Sequence, residues 1–411
     1  MKRVRAAAIF LLLTLAVAVA AQRPHAGAPI LILISFDGFR WDYIDRGESP
    51  TLKRLAATGV RAAGLVPSFP SFTFPNHYTL VTGLYPEHHG IVANNMMDDR
   101  MPERFSMTAL TSRDQVWWGG EPIWVTARRQ NLRAGAMFWP GSDVPIQGIW
   151  PNYWTAFDDN MPNVDRVNHA LDMLALPEAQ RPAFLTMYLS EVDHIGHDYG
   201  PDSPQILEGI RHEDQALALL ETGVKQLHLQ DRVTLVVVSD HGMAPLSNDR
   251  VVFLDDYIDM SRVDVVDWGE AVQLRPRTGS VADLYQALKN KHPAMTVYRR
   301  EEMPARLHYR DNPRIQPVIA LAGEGWEITS RQRWANDLAR HRLRGGAHGF
   351  DPDYRSMHGL FVAVGPGIRH GMFAPEFQNI HVYEFLCAVL GLKPAPNDGD
   401  PAVTKAFLST R

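Results

Sequence analysis

Apolar segments alternate with segments of helical periodicity along most of the chain. Three apolar runs, which begin at residues 30, 183 and 233, have the length and composition of buried strands. Apolar residues recur at helical spacing over residues 164–174 and 206–227. Helices between buried strands predict an α/β fold, in which a mostly parallel central sheet is covered by helices on both faces.

Capping and turn residues indicate the limits of other elements. Ser49 and Pro50 suit the start of a helix, with Ser49 as the N-cap, and Gly59 suits its end. A strand over residues 360–364 and a helix over residues 382–390 would complete the same layers.

The character of the sequence changes between about residues 245 and 345. Short mixed runs replace the long apolar ones, and a helix is predicted from Ser280 to Asn290. Candidate ligands occur on both sides of this region, so we interpret it as a small inserted α+β subdomain. Residues 22–411 are predicted to form one catalytic domain that contains this insertion.

Possible metal ligands follow each of the three strand-like runs. Asp37 ends the first run, Asp193 the second, and Asp240 with His241 the third. Strands of open α/β sheets collect their chemistry at the carboxyl edge, so these residues are expected to converge. With two further histidines, the candidate ligands are Asp37, Asp193, His197, Asp240, His241 and His348.

The spacing of these ligands is compatible with two metal sites. His197 follows Asp193 by four residues, so the two side chains can share one face of a helical turn. Gly242 permits the backbone to turn after His241. Mixed carboxylate and imidazole ligands suit zinc, and two ions about 4 Å apart can clamp the attacking and leaving oxygens of a phosphoryl transfer.

A threonine precedes another predicted helix. Pro75 fits a first helical turn, which places Thr73 at or just before the helix N-terminus, where free amides favour an anion. Metal coordination would turn the Thr73 hydroxyl into a nucleophile at neutral pH. A threonine at this position is also explained by helix capping alone.

Composition limits the classes of function. Hydrophobic residues make up 45% and charged residues 21% of the 411 residues, which is typical of a globular protein. The net charge is −5 and there is no long basic run, so no stable nucleic-acid partner is expected.

The N-terminus has the pattern of an export signal. Lys2, Arg3 and Arg5 precede an apolar stretch over residues 6–19, and small residues follow it. The stretch is too short to span a bilayer comfortably, so residues 1–21 are predicted to be a cleaved signal peptide, with an uncleaved anchor as the alternative.

The number of cysteines indicates the cellular compartment in which the protein acts. Cys387 is the only cysteine and lies in an apolar run, so no internal disulfide is possible. An exported protein without disulfides favours a bacterial periplasm over a eukaryotic secretory route, with secretion as the broader expectation.

Several long motifs resemble those of the nucleotide pyrophosphatase/phosphodiesterase family, which belongs to the alkaline phosphatase superfamily. They include SFTFPNHYTLVTGLYPEHHGIVANNMMD, FWPGSDVPIQGIWPNYW, YLSEVDHIGHDYGP, SDHGM and HGFDPDYRSMHGLF, in that order. The similarity extends from about residue 30 to residue 400, and the absence of extra domains resembles the compact bacterial members. It implies an alkaline-phosphatase-like three-layer fold.

The resemblance also implies roles for individual residues. Thr73 matches the catalytic nucleophile, and Asn94 matches an amide that binds a non-bridging phosphate oxygen. The ligands of two zinc ions match Asp37, Asp240 and His241 with Thr73 for one ion, and Asp193, His197 and His348 for the other. Other histidines near the motifs, His77 among them, match no metal role.

The implied reaction is hydrolysis of small-molecule nucleotide diesters and pyrophosphates to nucleoside 5′-monophosphates. It would pass through a covalent phosphothreonine intermediate, in a chain expected to be a monomer without a membrane span once the signal is removed. Phe74, Phe157 and Tyr188 match positions that stack the base, although the Phe157 position is often tyrosine in such relatives. Without the resemblance, all three aromatics would be interpreted as core residues.

Other functions are compatible with parts of the pattern. The same site could cleave lysophospholipid or choline phosphodiesters, which would require an aromatic cage for a quaternary ammonium group. Monoesterase activity is compatible as a side reaction, whereas Thr73-Phe74-Pro75-Asn76 does not suit a sulfatase. A degenerate binding module would lack a ligand or the nucleophile, and none is missing here.

Overall fold

Helices and strands alternate through most of the protein, whose computed structural model describes residues 29–339 and 345–409. The predicted signal peptide, residues 1–21, lies outside the described residues. The α-helices are α1 (Pro50–Thr58), α2 (Thr73–Thr82), α3 (Pro86–His89), α4 (Ile123–Arg129), α5 (Asn163–Ala175), α6 (Glu191–Tyr199), α7 (Pro204–Gln226), α8 (Val281–Leu288), α9 (Arg331–Ala339), α10 (Val382–Leu390) and α11 (Pro401–Thr404). Over the described ranges, no helix has the length and apolarity required to cross a bilayer.

The strands form one large sheet and several small ones. They are β1 (Ile30–Phe36), β2 (Val60–Ala62), β3 (Leu65–Val66), β4 (Asn95–Met96), β5 (Phe105–Ser106), β6 (Ala134–Met137), β7 (Tyr153–Trp154), β8 (Phe184–Leu189), β9 (Val233–Val238), β10 (Ala244–Pro245), β11 (Val251–Phe253), β12 (Val263–Asp267), β13 (Ala271–Pro276), β14 (Met295–Arg299), β15 (Val318–Ala322), β16 (Glu327–Thr329), β17 (Gly346–Ala347), β18 (Phe361–Val364), β19 (Met372–Ala374) and β20 (Phe377–Gln378).

The large sheet has the order β19-β2-β18-β9-β1-β8-β6-β7 in the described part of the chain. Its strands run parallel except β18, which is antiparallel to both β9 and β2. The strands predicted from the three long apolar runs, β1, β8 and β9, lie at its centre, with β1 between the other two. The predicted mostly parallel sheet is confirmed.

Helices cover both faces of this sheet. Alternate residues of β1 enter two hydrophobic clusters, with Leu31 and Leu33 in one and Ile32 and Ile34 in the other. The first cluster contains residues of α2, α4 and α10, and the second contains residues of α1, α5 and α7. The three layers predicted from the sequence are therefore present.

A second sheet lies within the region of changed sequence character. Its strands are antiparallel in the order β12-β13-β15-β14, and α8 packs on it. Val272 and Leu274 of β13 face the cluster that contains α8, whereas Ile319 and Leu321 of β15 join the cluster of the main sheet. The small sheet thus shares its core with the large one.

The start of α1 differs from its predicted cap. Pro50 and Gly59 bound the helix as expected, but Ser49 makes no capping bond and its hydroxyl donates to the carbonyl oxygen of Ile44. The free amides of Thr51 and Leu52 instead donate to the carboxylate of Asp214 on α7, at 3.0 and 2.7 Å. The cap is a tertiary contact, which local sequence does not reveal.

Asp214→Ala is expected to lower the free energy of unfolding by about 1–2 kcal/mol, because two helix amides lose their buried acceptor. Urea denaturation would measure the change. Asp165→Ala is a matched control, since Asp165 is exposed in the first turn of α5 and caps nothing with its side chain. Equal stability losses in the two variants would contradict the assigned role of Asp214.

Candidate active site

The candidate ligands meet at the carboxyl edge of the main sheet. Since β1 pairs in parallel with both β8 and β9, the ends of these strands lie side by side. Asp37 follows β1 directly, and Asp240 and His241 follow β9 after one residue. These three side chains belong to residues that are at most 1% exposed. The predicted convergence is confirmed.

Asp193 reaches this edge from a helix. The prediction that a strand continues to Asp193 is wrong, because β8 ends at Leu189 and Asp193 lies in the first turn of α6. His197 follows one turn later on the same face, with its Nε2 atom 3.6 Å from Asp193 Oδ2. The predicted helical pairing of these two residues is therefore present.

Each of three candidate histidines is oriented by a hydrogen bond from Nδ1 to a backbone carbonyl oxygen. The pairs are His197 with Gly346 at 3.0 Å, His241 with Gly242 at 2.9 Å, and His348 with Ser71 at 2.9 Å. A proton on Nδ1 leaves Nε2 with the lone pair that binds metals. Burial, with His241 close by, holds the pKa of His348 well below its usual value, so the His348 ring is neutral.

Lone pairs and carboxylate oxygens face one another in this cluster. The Nε2 atoms of His197 and His348 are 3.1 Å apart. Among the described residues, the buried carboxylate oxygens without a hydrogen-bond donor include Asp37 Oδ1, Asp193 Oδ1 and Asp240 Oδ2. Such an arrangement is repulsive and poorly solvated unless cations lie between the groups. The donor set therefore fits divalent metal ions.

Three overlapping groups of described side chains bring their ligand atoms within 4.8 Å of one another. These groups are Asp193, His197 and His348; Asp37, Asp193 and His241; and Asp37, His77 and Asp240. All six predicted ligands lie in this cluster, and the first group is one of the two predicted sites. Carboxylate oxygen and imidazole nitrogen suit zinc and other first-row divalent ions.

His77 also lies in the cluster, although sequence motifs left it without a metal role. It is fully buried, and its Nδ1 is 2.9 Å from the carbonyl oxygen of Thr73 and 3.2 Å from Asp240 Oδ2. Its Nε2 is 2.8 Å from Ser35 Oγ. The spacing of four residues between Thr73 and His77 in α2 was the available signal, because it puts both on one helix face.

Thr73 is the first residue of α2, as its sequence position predicts. Its Oγ1 atom lies 3.3 Å from His241 Nε2, at the metal-ligand cluster. Asn94 lies beside it, and Asn94 Oδ1 accepts a hydrogen bond of 3.1 Å from the amide of Phe74. This bond orients the Asn94 side chain, whose own N–H groups remain available for other acceptors.

The predicted base-stacking aromatics line one cavity. It has a volume of about 620 Å³, and Phe74, Phe157 and Tyr188 line it together with Asp37 and Thr73. Phe157 is 51% exposed, whereas Tyr188 is 9% exposed and its hydroxyl donates to Asp37 Oδ2 at 2.6 Å. Tyr188 thus orients a candidate metal ligand and offers little ring surface, while base stacking stays a prediction.

Two glycines permit the close packing of the cluster. Gly38 follows Asp37 with a φ of 65°, and a Cβ atom there would lie 2.9 Å from the Cα atom of Asp193. Gly242 was expected to permit a turn. The structure requires glycine there for lack of space, because a Cβ atom would lie 2.1 Å from the carbonyl oxygen of Ser356.

Comparison with known proteins shows the family of the chain that carries this cluster. Residues 31–351 match the family model described as type I phosphodiesterase / nucleotide pyrophosphatase. The chain belongs to this family. The predicted family is thereby confirmed, and its members include hydrolases named for phosphodiester and pyrophosphate cleavage.

Two relatives show the extent of the sequence similarity. A venom phosphodiesterase of Crotalus durissus collilineatus is 39% identical over 381 residues, and human ectonucleotide pyrophosphatase/phosphodiesterase family member 1 is 37% identical over 385 residues. Each match covers 90% of this chain. The chain spans less than half of these relatives, 45% and 41% of their lengths.

A solved structure confirms the predicted alkaline-phosphatase-like fold of this family. Murine ectonucleotide pyrophosphatase/phosphodiesterase 5, an inactive threonine-to-alanine variant in complex with AMP, superposes with a TM-score of 0.88 at 35% identity. The match covers 93% of this chain and all of that chain. The relatives compared are animal proteins, so the predicted bacterial origin stays a prediction.

Removal of divalent ions by a chelator is expected to lower the melting temperature by about 5–10 °C, because the buried carboxylates and imidazoles would lose their cations. Calorimetry before and after chelation, with metal content measured in each sample, would test this. Zinc should restore the melting temperature. An unchanged melting temperature in verified metal-free protein would contradict a metal centre here.

Proposed function

We propose that the protein hydrolyses nucleotide phosphodiester and pyrophosphate bonds, with two zinc ions, and releases nucleoside 5′-monophosphates. The observation that carries this proposal is the position of Thr73 Oγ1. It lies at the N-terminus of α2 and 3.3 Å from His241 Nε2, beside buried carboxylates that each have one oxygen without a donor. A hydroxyl held beside metal-ligand atoms at a helix N-terminus is suited to act as a metal-activated nucleophile.

The proposed ligands divide into two sets. Asp37, Asp240 and His241 would hold one ion with Thr73, and the other ion would be held by Asp193, His197 and His348. Bound there, the ions supply positive charge that favours the threonine alkoxide and offsets charge on the phosphoryl oxygens. Tyr188 and the three backbone carbonyl acceptors keep the ligands oriented in this scheme.

Thr73 is the proposed nucleophile. Its Oγ1 atom loses the hydroxyl proton and forms a bond to phosphorus, while the bond from phosphorus to the leaving oxygen breaks and that oxygen takes up a proton. Water then attacks the phosphothreonine, its oxygen stays on the phosphate, and Thr73 regains its hydroxyl proton. Two in-line displacements therefore return the residue to its starting state.

Asn94 is the proposed donor to a non-bridging phosphate oxygen. The amide of Phe74 occupies Asn94 Oδ1, so the remaining N–H groups of Asn94 are the part of the side chain that can donate to an anion. The N-terminal amides of α2 add to the same electrostatic effect. A fixed donor beside the reacting phosphorus stabilises charge that grows in the transition state.

A nucleotide is proposed as the substrate because aromatic rings adjoin the nucleophile. Phe74 and Phe157 line the cavity that contains Thr73, and an aromatic ring stacks on any base. The AMP complex of the murine relative and the names of the compared relatives support nucleotide chemistry. They do not favour lysophospholipid or choline diesters, which we do not propose.

We further propose that residues 1–21 direct export and that the catalytic domain, residues 22–411, acts as a monomer on small-molecule substrates. The venom and ectoenzyme names of the relatives support an extracellular site of action. A bacterial periplasm stays a prediction from the single cysteine and the short apolar leader.

Thr73→Ala is expected to abolish turnover, by about 10⁴-fold or more, because it removes the nucleophile. Zinc content should stay near that of the unmodified protein, since the carboxylate and imidazole ligands remain. Steady-state rates and metal analysis on the same samples would show this. Thr73→Ser keeps a hydroxyl and should retain measurable turnover; normal turnover of Thr73→Ala would exclude the covalent route.

A comparison of three aryl esters tests the substrate class. We expect kcat/KM to be highest for a thymidine 5′-monophosphate aryl diester, because only this substrate places a base in the aromatic cavity. The aryl phosphorylcholine diester and the aryl phosphate monoester share its leaving group and serve as controls. A preference for the choline ester would overturn the nucleotide assignment, and no turnover of any ester by zinc-loaded protein would overturn the enzymatic proposal.

A further inference from the structure

A short loop forms one wall of the aromatic cavity. It consists of Phe157 and residues 158–160, and all four line the cavity of about 620 Å³ that Thr73 borders. These four residues belong to no helix or strand and are exposed. The Phe157 ring meets Phe138 and Tyr188 edge-on, with centroids 5.2 and 5.9 Å apart. Burial of its own side chains therefore does little to hold this wall in place.

The guanidinium of Arg166, on α5, binds the loop through its backbone. Nη2 donates to the carbonyl oxygens of Asp158 at 3.4 Å and Asp159 at 3.0 Å, and Nε donates to that of Met161 at 2.9 Å. Nη1 donates to the carbonyl oxygen of Tyr188, in β8 of the main sheet, at 3.0 Å. One side chain thus joins the cavity wall to the sheet.

The guanidinium is a buried cation that carbonyl oxygens solvate. Arg166 is 2% exposed, and its guanidinium carbon lies 5.3 Å from the centroid of the Phe138 ring. In the described part of the chain, every hydrogen bond of this guanidinium ends on a carbonyl oxygen, and Asp159 Oδ1 lies 4.0 Å away. Burial raises the pKa of Glu213 well above its usual value, which favours a neutral carboxyl group there. Movement of the loop would therefore leave a buried charge without its acceptors.

We propose that Arg166 is a positioning residue for the nucleotide base, because it holds Phe157 ready for stacking before the substrate binds. The inference rests on the proposed function, in which the base occupies this cavity. Arg166 does not line the cavity, so it acts through the loop. A wall that is fixed in advance loses little conformational freedom on binding, and this saving appears as affinity for the base.

The test compares two aryl diesters that share the leaving group and differ in the part that stays on the phosphorus. One is the aryl ester of thymidine 5′-monophosphate, and the other is the aryl ester of methyl phosphate. Arg166→Lys keeps the charge but lacks the planar fork that reaches several carbonyl oxygens. It is expected to raise KM for the nucleotide ester about tenfold, with kcat changed less than about threefold, because the base loses its stacking partner. For the methyl ester, kcat/KM should change less than about twofold.

Arg181→Lys is the matched control at the other end of α5. Nε of Arg181 donates to the carbonyl oxygen of Leu174 at 2.6 Å, and Arg181 does not line the cavity. This variant should change kcat/KM for either ester less than about twofold. Equal losses for the two esters in Arg166→Lys would indicate a general structural role and overturn the inference, as would unchanged values for both.

Inhibition by the product measures binding without turnover. Thymidine 5′-monophosphate should inhibit Arg166→Lys about tenfold more weakly than the unmodified protein, whereas inhibition by inorganic phosphate should change less than about twofold. Equal weakening of both inhibitors would contradict a role confined to the base.

A second variant loosens the same loop by another route. The Ser190 hydroxyl donates to Asp159 Oδ1 at 3.1 Å. If Arg166→Lys does not fold, as judged by its melting temperature, the ester comparison on Ser190→Ala decides. This variant should raise KM for the nucleotide ester about threefold and leave the methyl ester unchanged. Equal effects on both esters, or none, would overturn the inference.

The unmodified protein separates this inference from the function beneath it. No turnover of either ester by zinc-loaded protein would overturn the proposed function and this inference with it. Turnover of both esters without preference for the nucleotide would overturn the nucleotide assignment together with this inference. A nucleotide preference that Arg166→Lys leaves intact would overturn the inference alone.

Discussion

The carboxylates of Asp37, Asp193 and Asp240 occupy one buried space at the carboxyl edge of the main sheet, and the lone pairs of His197, His241 and His348 face the same space. Burial of one uncompensated ion costs several kcal/mol, and the whole folded state is stabilised by only about 5–15 kcal/mol. Cations bound between these groups would offset this cost. The ligands of this one cluster come from segments that are far apart in the chain: the ends of β1 and β9, the helix α6 and the turn after β17.

The same constraint explains the position of Thr73, the proposed nucleophile. α2 begins at Thr73, so its hydroxyl and the free amides of the helix lie next to the metal-ligand cluster, and the helix amides favour an anion there. Asn94 accepts one hydrogen bond from the amide of Phe74, the residue after Thr73, and this bond holds the Asn94 side chain close to Thr73. The small sheet adds a third component through Asp267, which is bonded to Asn95.

Much of this arrangement was predictable because it follows local patterns. The strands β1, β8 and β9 are long apolar runs, α10 begins and ends at the predicted residues, and the ligands follow strands whose parallel pairing brings them together. The resemblance to a known family added the expected roles of Thr73 and Asn94, and the family was confirmed.

The unpredicted features depend on contacts between segments far apart in the chain. Asp214 caps α1 from α7, and the Tyr188 hydroxyl binds Asp37 across two strands. Neither contact leaves a periodic signal in the sequence. The sequence did not single out Trp268 from the short mixed runs of residues 245–345. Its position on a cavity beside the metal-ligand cluster follows only from the packing of the small sheet. His77 was the exception, since its spacing from Thr73 was visible in the sequence.

The chain leaves the main layers and returns to them through one short ladder. Ala244 and Pro245 of β10 pair with Gly346 and Ala347 of β17, so the two ends of the intervening hundred or so residues are neighbours. Asp240 precedes this junction and His348 follows it. A segment of different length or architecture whose ends also meet could replace the small sheet and leave these ligands in register. The junction is therefore a natural exchange point, at which evolution or an engineer can change one wall of the cavity beside the metal-ligand cluster and keep the cluster itself.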